Sequence, residues 1–184
     1  MRYQYQDLIT LFHDTFFKEY NTQLIKGGVE PLYLPANADC SYHQVIFARG
    51  FYESAFHEIA HWCQAGKARR LLEDFGYWYI PDGRNEQQQK KFEQVEVIPQ
   101  AIEWAFNVAA QKEFHVSSDN LNGFQADTFS FKEKVYQQVQ LFIEQGFPIR
   151  ANQFIESLAK FYNTPLPLTL DNFNKNKEER LCSN

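Results

Sequence analysis

The chain has 184 residues, 44% of them hydrophobic and 17% aromatic, with 18 Phe and 10 Tyr. That is enough to bury a sizeable core as one domain over 1–184 without covalent staples. A formal net charge of -5 argues against general nucleic-acid binding, which needs a basic surface to neutralise phosphate.

No stretch approaches the apolar length of a membrane span. The opening residues Met1 to Asp7 lack the basic segment and apolar run of a signal peptide, so a cytoplasmic location is expected. Cys40, Cys63 and Cys182 are odd in number and form no CxxC pair. They support neither a disulfide framework nor a cysteine zinc site.

In chain order, Leu8, Leu11, Phe12, Phe16 and Tyr20 recur at helical spacing, which predicts a helix over 3–20. Residues 21–39 are broken by Gly27, Gly28, Pro31 and Pro35, with Leu32-Tyr33-Leu34 a candidate short strand. Val45, Ile46 and Phe47 predict a strand over 42–48. Ser54 is placed to cap a helix running to about Ala65, with Gly66 as its stop. A short helical piece over 67–75 and an aromatic loop or strand over 76–83 follow.

Residues 87–110 read as a helix that Pro99 would kink or restart. Residues 114–127 are loop-rich. Helices are expected over 131–144, ended by Gly146 and Pro148, and over 151–162. The tail from about 170, rich in Asn, Lys and Glu, is expected to fray. Few strands early and helices later predict a mostly helical α+β fold with a small sheet.

The run His57-Glu58-Ile59-Ala60-His61 carries the chemistry. Residues four apart share a helix face, so His57 and His61 can offer two imidazoles to one ion. In zinc peptidases with this pattern the glutamate is a general base beside the metal-bound water. The bland alternative is two helical histidines, one buried and one solvated. A two-histidine site needs a third protein ligand, which one zinc class takes as a carboxylate.

Glu93 and Glu96 are the candidates, far enough beyond His61 for a returning helix. They share a face with each other and with Gln100, and chemistry does not choose between them. Two histidines and a carboxylate suit Zn(II), and equally form the facial set that binds Fe(II) with open positions for oxygen and substrate. The motif alone favours zinc hydrolysis.

The resemblance reaches much further than the motif. Gly50-Phe51-Tyr52, His57 to Cys63, Ala65 to Arg70, Asp74 to Tyr79, Pro81 to Arg84, Phe92-Glu93, Val95 to Val97 and Pro99 to Ala101 resemble the elongation factor P hydroxylases of Gammaproteobacteria. Asn21-Thr22, Leu24 to Gly27 and Leu34 to Ala36 fit as well, and the similarity weakens only after about Pro167.

The resemblance implies a fold like that of the zinc metallopeptidases, a zincin-like core. It implies hydroxylation of the β-lysylated lysine of elongation factor P, with non-haem Fe(II) as cofactor and O2 as co-substrate. It also implies His57, His61 and Glu96 as the metal ligands. The alternative activity is a Zn(II) metallopeptidase on the same residues. A binding protein with a structural metal is a third reading.

On the hydroxylase reading there is no peptide-hydrolysing water to activate. Glu58 would then manage a proton, orient a bound water, or tune the metal from behind its ligands. Lys67, Arg69 and Arg70 would steer an acidic protein partner, or serve as cations at a helix end. Tyr77, with Trp78 and Tyr79, would wall a pocket for the lysyl chain or pack in the core. Asp82 and Arg84 would contact substrate or hold the turn at Gly83. Cys63 points off the ligand face, and His13, His43 and His115 lack ligand spacing.

Overall fold

A computed structural model describes residues 3–73, 82–125 and 127–173. Helix α1 spans Tyr5–Tyr20 and buries Leu8, Phe12 and Phe16, one side of the predicted stripe. Asn21 ends it in the left-handed conformation at φ 48°, and its amide returns to the Phe17 carbonyl. That is a turn which asparagine tolerates better than most residues.

Three strands follow: β1 (Thr22–Lys26), β2 (Leu32–Leu34) and β3 (His43–Phe47). Their order in the sheet is β1-β3-β2. Strand β1 runs parallel to β3, with Leu24 opposite Val45 and Lys26 opposite Phe47, and β2 runs antiparallel to β3. Leu24, Val45 and Phe47 are buried. Strand β1 lies in the segment that the sequence reading left broken.

Helix α2, Tyr52–Gln64, starts two residues before Ser54. The expected Ser54 cap is corrected: Phe51 is the cap residue, without a side-chain bond, and Ser54 Oγ accepts from the Ala48 amide instead. A 3-10 turn at Arg69–Leu71 is the described part of the short helix expected over 67–75. Helix α3, Glu86–Ala109, runs through Pro99 as one element, so the predicted restart does not occur. Pro99 lacks an amide, yet its ring is buried among the flanking helical turns. Asn85 and Gln88 form a reciprocal capping box at the start of α3.

Helices α4 (Thr128–Gln145), α5 (Ile149–Tyr162) and the short α6 (Leu170–Phe173) complete the described chain. The architecture is α+β, mostly helical with a small sheet. Among the described residues no helix is long and apolar enough to cross a membrane.

The core is aromatic, and it fixes α2 from behind. Trp62 meets Phe12, Phe16 and Tyr20 of α1 edge-on at 5.1, 4.8 and 5.6 Å between ring centres. Phe56 lies 5.7 Å from Phe106 of α3, and Phe106 lies 5.1 Å from Phe154 of α5. Such offset pairs each add about 0.5–1.5 kcal/mol beyond the area they bury. With one face of α2 held in this way, His57, Glu58 and His61 are turned toward α3.

The C-terminal end of α2 is secured by two arginines. Arg150 of α5 donates to the Trp62 and Cys63 carbonyls at 2.8 and 3.0 Å and lies over the Trp62 ring. Arg70 donates to the Ala65 carbonyl at 2.7 Å. These guanidinium groups occupy the carbonyls that a helix end leaves unpaired, where the helix dipole also favours a cation.

Candidate metal centre

Two helices supply the donors. His57 and His61 stand one turn apart on α2, with their Nε2 atoms 3.0 Å from each other. Glu96 of α3 has no exposed surface. It places Oε1 3.3 Å from His61 Nε2 and Oε2 3.6 Å from His57 Nε2. Among the described residues, these three are the ones whose donor atoms converge closely enough to hold a metal ion.

Glu93, the other candidate, turns elsewhere and lies 3.4 Å from Lys134 Nζ of α4. One helical turn separates the two carboxylates, and the Cα–Cβ directions of α3 send only Glu96 between the histidines.

The spacing suits a bound cation. Donors held about 2.1 Å from one ion lie about 3.0 Å apart at right angles and about 3.4 Å apart at tetrahedral angles. The observed edges of 3.0, 3.3 and 3.6 Å bracket both geometries, so the donor set accepts Zn(II) or Fe(II) alike.

The electrostatics make the same demand. Burial works against a charged His57, but Glu96, Glu103 and Glu58 together raise its pKa to about 10. Burial likewise works against an ionised Glu96, and His57 and His61 overcome it, bringing Glu96 down to about 2. Without a metal, a proton on His57 therefore supplies the positive charge that this ring of carboxylates requires.

Glu103 is a site residue that the sequence reading missed. His57 Nδ1 donates to its Oε2 at 3.0 Å. That bond fixes the tautomer, placing the proton on Nδ1 and leaving Nε2 for an ion. The signal was available: seven residues make almost two helical turns, so Glu103 repeats the face of Glu96.

Gln100, between them, is also employed. Its Nε2 lies 3.4 Å from Glu96 Oε2 and 2.8 Å from the Ser117 carbonyl, while its Oε1 accepts from the Ser117 amide at 3.0 Å. Half-buried Glu58 sits beside this set. Burial raises its pKa, Glu96 and Glu103 add to the rise, and His57 and His61 oppose it.

The remaining candidates are placed as follows. Lys67 is exposed beyond the end of α2 and Arg69 is half-exposed, whereas Arg70 is turned onto the Ala65 carbonyl and serves the helix end. Tyr77, with Trp78 and Tyr79, lies outside the described residues.

Arg84 is wholly buried and stacks on Phe92 at 3.9 Å. It donates to Gln89 Oε1 at 2.9 Å and to the Ser118 and Asp119 carbonyls. These bonds hold the 118–119 segment against the start of α3. The Arg84 backbone carbonyl also accepts from Phe124 and Asn120.

Cys63 is buried in the core, and its surroundings push the thiol pKa up. His43 accepts from the Ala36 amide, His13 stacks on Phe17, and His115 lies 3.8 Å from Glu113. None of the three enters the donor cluster.

Known proteins give this arrangement a family. The chain is 53% identical over 173 residues to the elongation factor P lysine hydroxylase of Haemophilus influenzae, covering 94% of this chain and 97% of that one. The family described as elongation factor P hydroxylase matches residues 11–173, which include all three donors and Glu103. With the donor cluster inside a match of that length, the chain belongs to the elongation factor P hydroxylase family.

Proposed function

We propose that this protein hydroxylates the β-lysylated lysine of elongation factor P in the cytoplasm. It would use a non-haem Fe(II) held by His57, His61 and Glu96, with O2 as co-substrate. The carrying observation is the convergence of two imidazole Nε2 atoms and one carboxylate in a chain so similar to a named lysine hydroxylase. When bound, the iron supplies oxygen activation, and the protein supplies orientation and a site shielded from water.

The protein's own contributions follow from its contacts. Glu103 holds the His57 ring by its Nδ1 proton. Gln100 steadies the Glu96 carboxylate through Oε2. Glu58, whose carboxyl pKa is raised by burial, would take up or return a proton beside the donors. Lys67, Arg69 and Tyr77 are assigned to contact with the substrate protein.

A zincin-like core is part of the same reading. It is supported by the pairing of an HExxH helix with a glutamate-bearing helix across the donor cluster. Zn(II) remains the alternative metal because the donor set accepts it, although peptide hydrolysis is disfavoured by the family.

The test is the intact mass of β-lysylated elongation factor P after incubation with the protein, Fe(II), a reductant and air. Addition of one oxygen atom, lost with His57→Ala, is the expected result. An unmodified or cleaved substrate overturns the reading.

A further inference from the structure

A short loop near the donors is fastened with unusual thoroughness. Arg84, Gln89, Gln100 and Asn120 are all buried polar side chains. Each directs hydrogen bonds to the loop between Ser117 and Phe124 or to the strand of chain leading into α3. Gln100 clamps Ser117 through both its amide and its carbonyl. The Ser118 carbonyl accepts from Arg84 at 2.9 Å and from Gln89 at 3.2 Å, and the Asp119 carbonyl accepts from Arg84.

Asn120 accepts from the Arg84 amide at 2.8 Å and donates to the Arg84 and Phe124 carbonyls. Asn122 donates to both carboxylate oxygens of Asp82. At Gly123 any side chain would run into the Arg84 carbonyl and the Asn120 amide, so the two segments lie too close for another residue there. Loops ordinarily tolerate looseness. Here residues 117–120 are each bolted to the helix that carries Glu96 or to its lead-in.

The residue this framework presents is Asp119. Its backbone is held at φ 44°, a left-handed conformation that costs a side-chain-bearing residue free energy and persists only where its surroundings impose it. Its side chain is exposed, and among the described residues its carboxylate makes no hydrogen bond or ion pair. Partial burial raises its pKa and the Arg84 guanidinium opposes the rise, with His57, Glu96 and Asp82 acting more weakly, and it is not one of the three converging donors. Gln100, whose amide lies 3.4 Å from Glu96 Oε2, holds the Ser117 carbonyl at 2.8 Å, so the segment that carries Asp119 starts beside the metal centre. The Arg84 guanidinium is the strongest charge acting on Asp119, although its hydrogen bonds go to backbone carbonyls and to Gln89.

We infer that Asp119 binds the ammonium group of the substrate's lysyl chain, and that the 117–124 loop is fastened to α3 so that this contact sits at a fixed distance from the donors. This rests on the proposed lysine substrate. Oxidising one carbon of a flexible chain requires the chain's end to be held, because an unanchored chain presents several methylenes in turn.

The test uses Asp119→Asn in the full-length, metal-loaded protein. Asparagine keeps the size and tolerates the left-handed backbone, so the substitution removes only the charge. Calorimetry without oxygen measures affinity for β-lysylated elongation factor P, and hydroxylation in air gives kcat and KM.

The expected result is a loss of affinity and a rise in KM of about tenfold or more, with kcat, metal content and Tm unchanged. A variant that binds and turns over like the wild type overturns the inference while leaving the hydroxylase reading intact. A variant that loses metal or melts earlier also overturns it, because Asp119 would then be structural. A wild type that neither binds nor hydroxylates this substrate overturns the reading and the inference together.

Discussion

Removing the Glu103 carboxylate should weaken metal binding without disturbing the fold. The carboxylate is 12% exposed and its bond to His57 Nδ1 is 3.0 Å, in a place where water competes little. A hydrogen bond to a charged group is worth about 1.5–3 kcal/mol. If that stabilises the metal-binding orientation of His57, Glu103→Ala lowers metal affinity by about 10- to 100-fold.

Glu103→Gln keeps an acceptor oxygen and loses only the charge, so its loss should be smaller, about threefold to tenfold. Competition with a coloured chelator, run with Zn(II) in air and with Fe(II) without oxygen, reads both numbers. Thermal melting controls for folding. An alanine variant that binds metal as tightly as the wild type would show that His57 is oriented by its packing on α2, and the reasoning would fail.

Two further predictions follow from the same contacts. In the metal-free protein, the His57 pKa of about 10 lies above its ordinary 6.5. Its contribution is therefore fully present below pH 6.5 and is lost as pH rises through 10. Glu96 lies at about 2, below its ordinary 4.5, so its contribution is present above 4.5 and lost as pH falls through 2. Denaturant unfolding of the metal-free protein should show highest stability from these two groups between pH 4.5 and 6.5. Metal binding between pH 6.5 and 10 should release about one proton. A calorimetric proton count near zero across that range would contradict it. Separately, Arg84→Met should cost about 2–4 kcal/mol, because it takes the donor from buried Gln89 Oε1 and from the Asp119 carbonyl and one of two donors from the Ser118 carbonyl. An unchanged Tm would show that the loop finds other donors.

Much of the centre was legible because helical spacing is a strong constraint. His57 and His61 had to share a face once α2 formed, and Glu93 and Glu96 were the carboxylates in reach. Spacing could not choose between those two, since both lie on one broad face. The structure separates them by the neighbour each meets: Lys134 for Glu93 and the histidines for Glu96.

Strand β1 was hidden because its five residues precede a Gly-Gly break and carry only Leu24 and Ile25 as apolar residues. Its pairing with β3 is nonlocal. Pro99 misled because one lost amide bond is a local cost, which the packing of a long helix on α2, α4 and α5 outweighs. Arg84 and Asp119 carry meaning through contacts with residues far along the chain, which no local pattern announces.

The amide of Gln100 has one further consequence. A glutamine side chain can ordinarily exchange the places of its oxygen and nitrogen by a half-turn. Here the Ser117 amide demands the oxygen and the Ser117 carbonyl demands the nitrogen, so the half-turn would set donor against donor and acceptor against acceptor. A single backbone residue thereby acts as a key that admits the amide in one sense only. The nitrogen is then always presented to Glu96 Oε2. The two oxygens of that carboxylate therefore meet different neighbours before any ion arrives: Oε2 a neutral amide, and Oε1 the His61 ring at 3.3 Å.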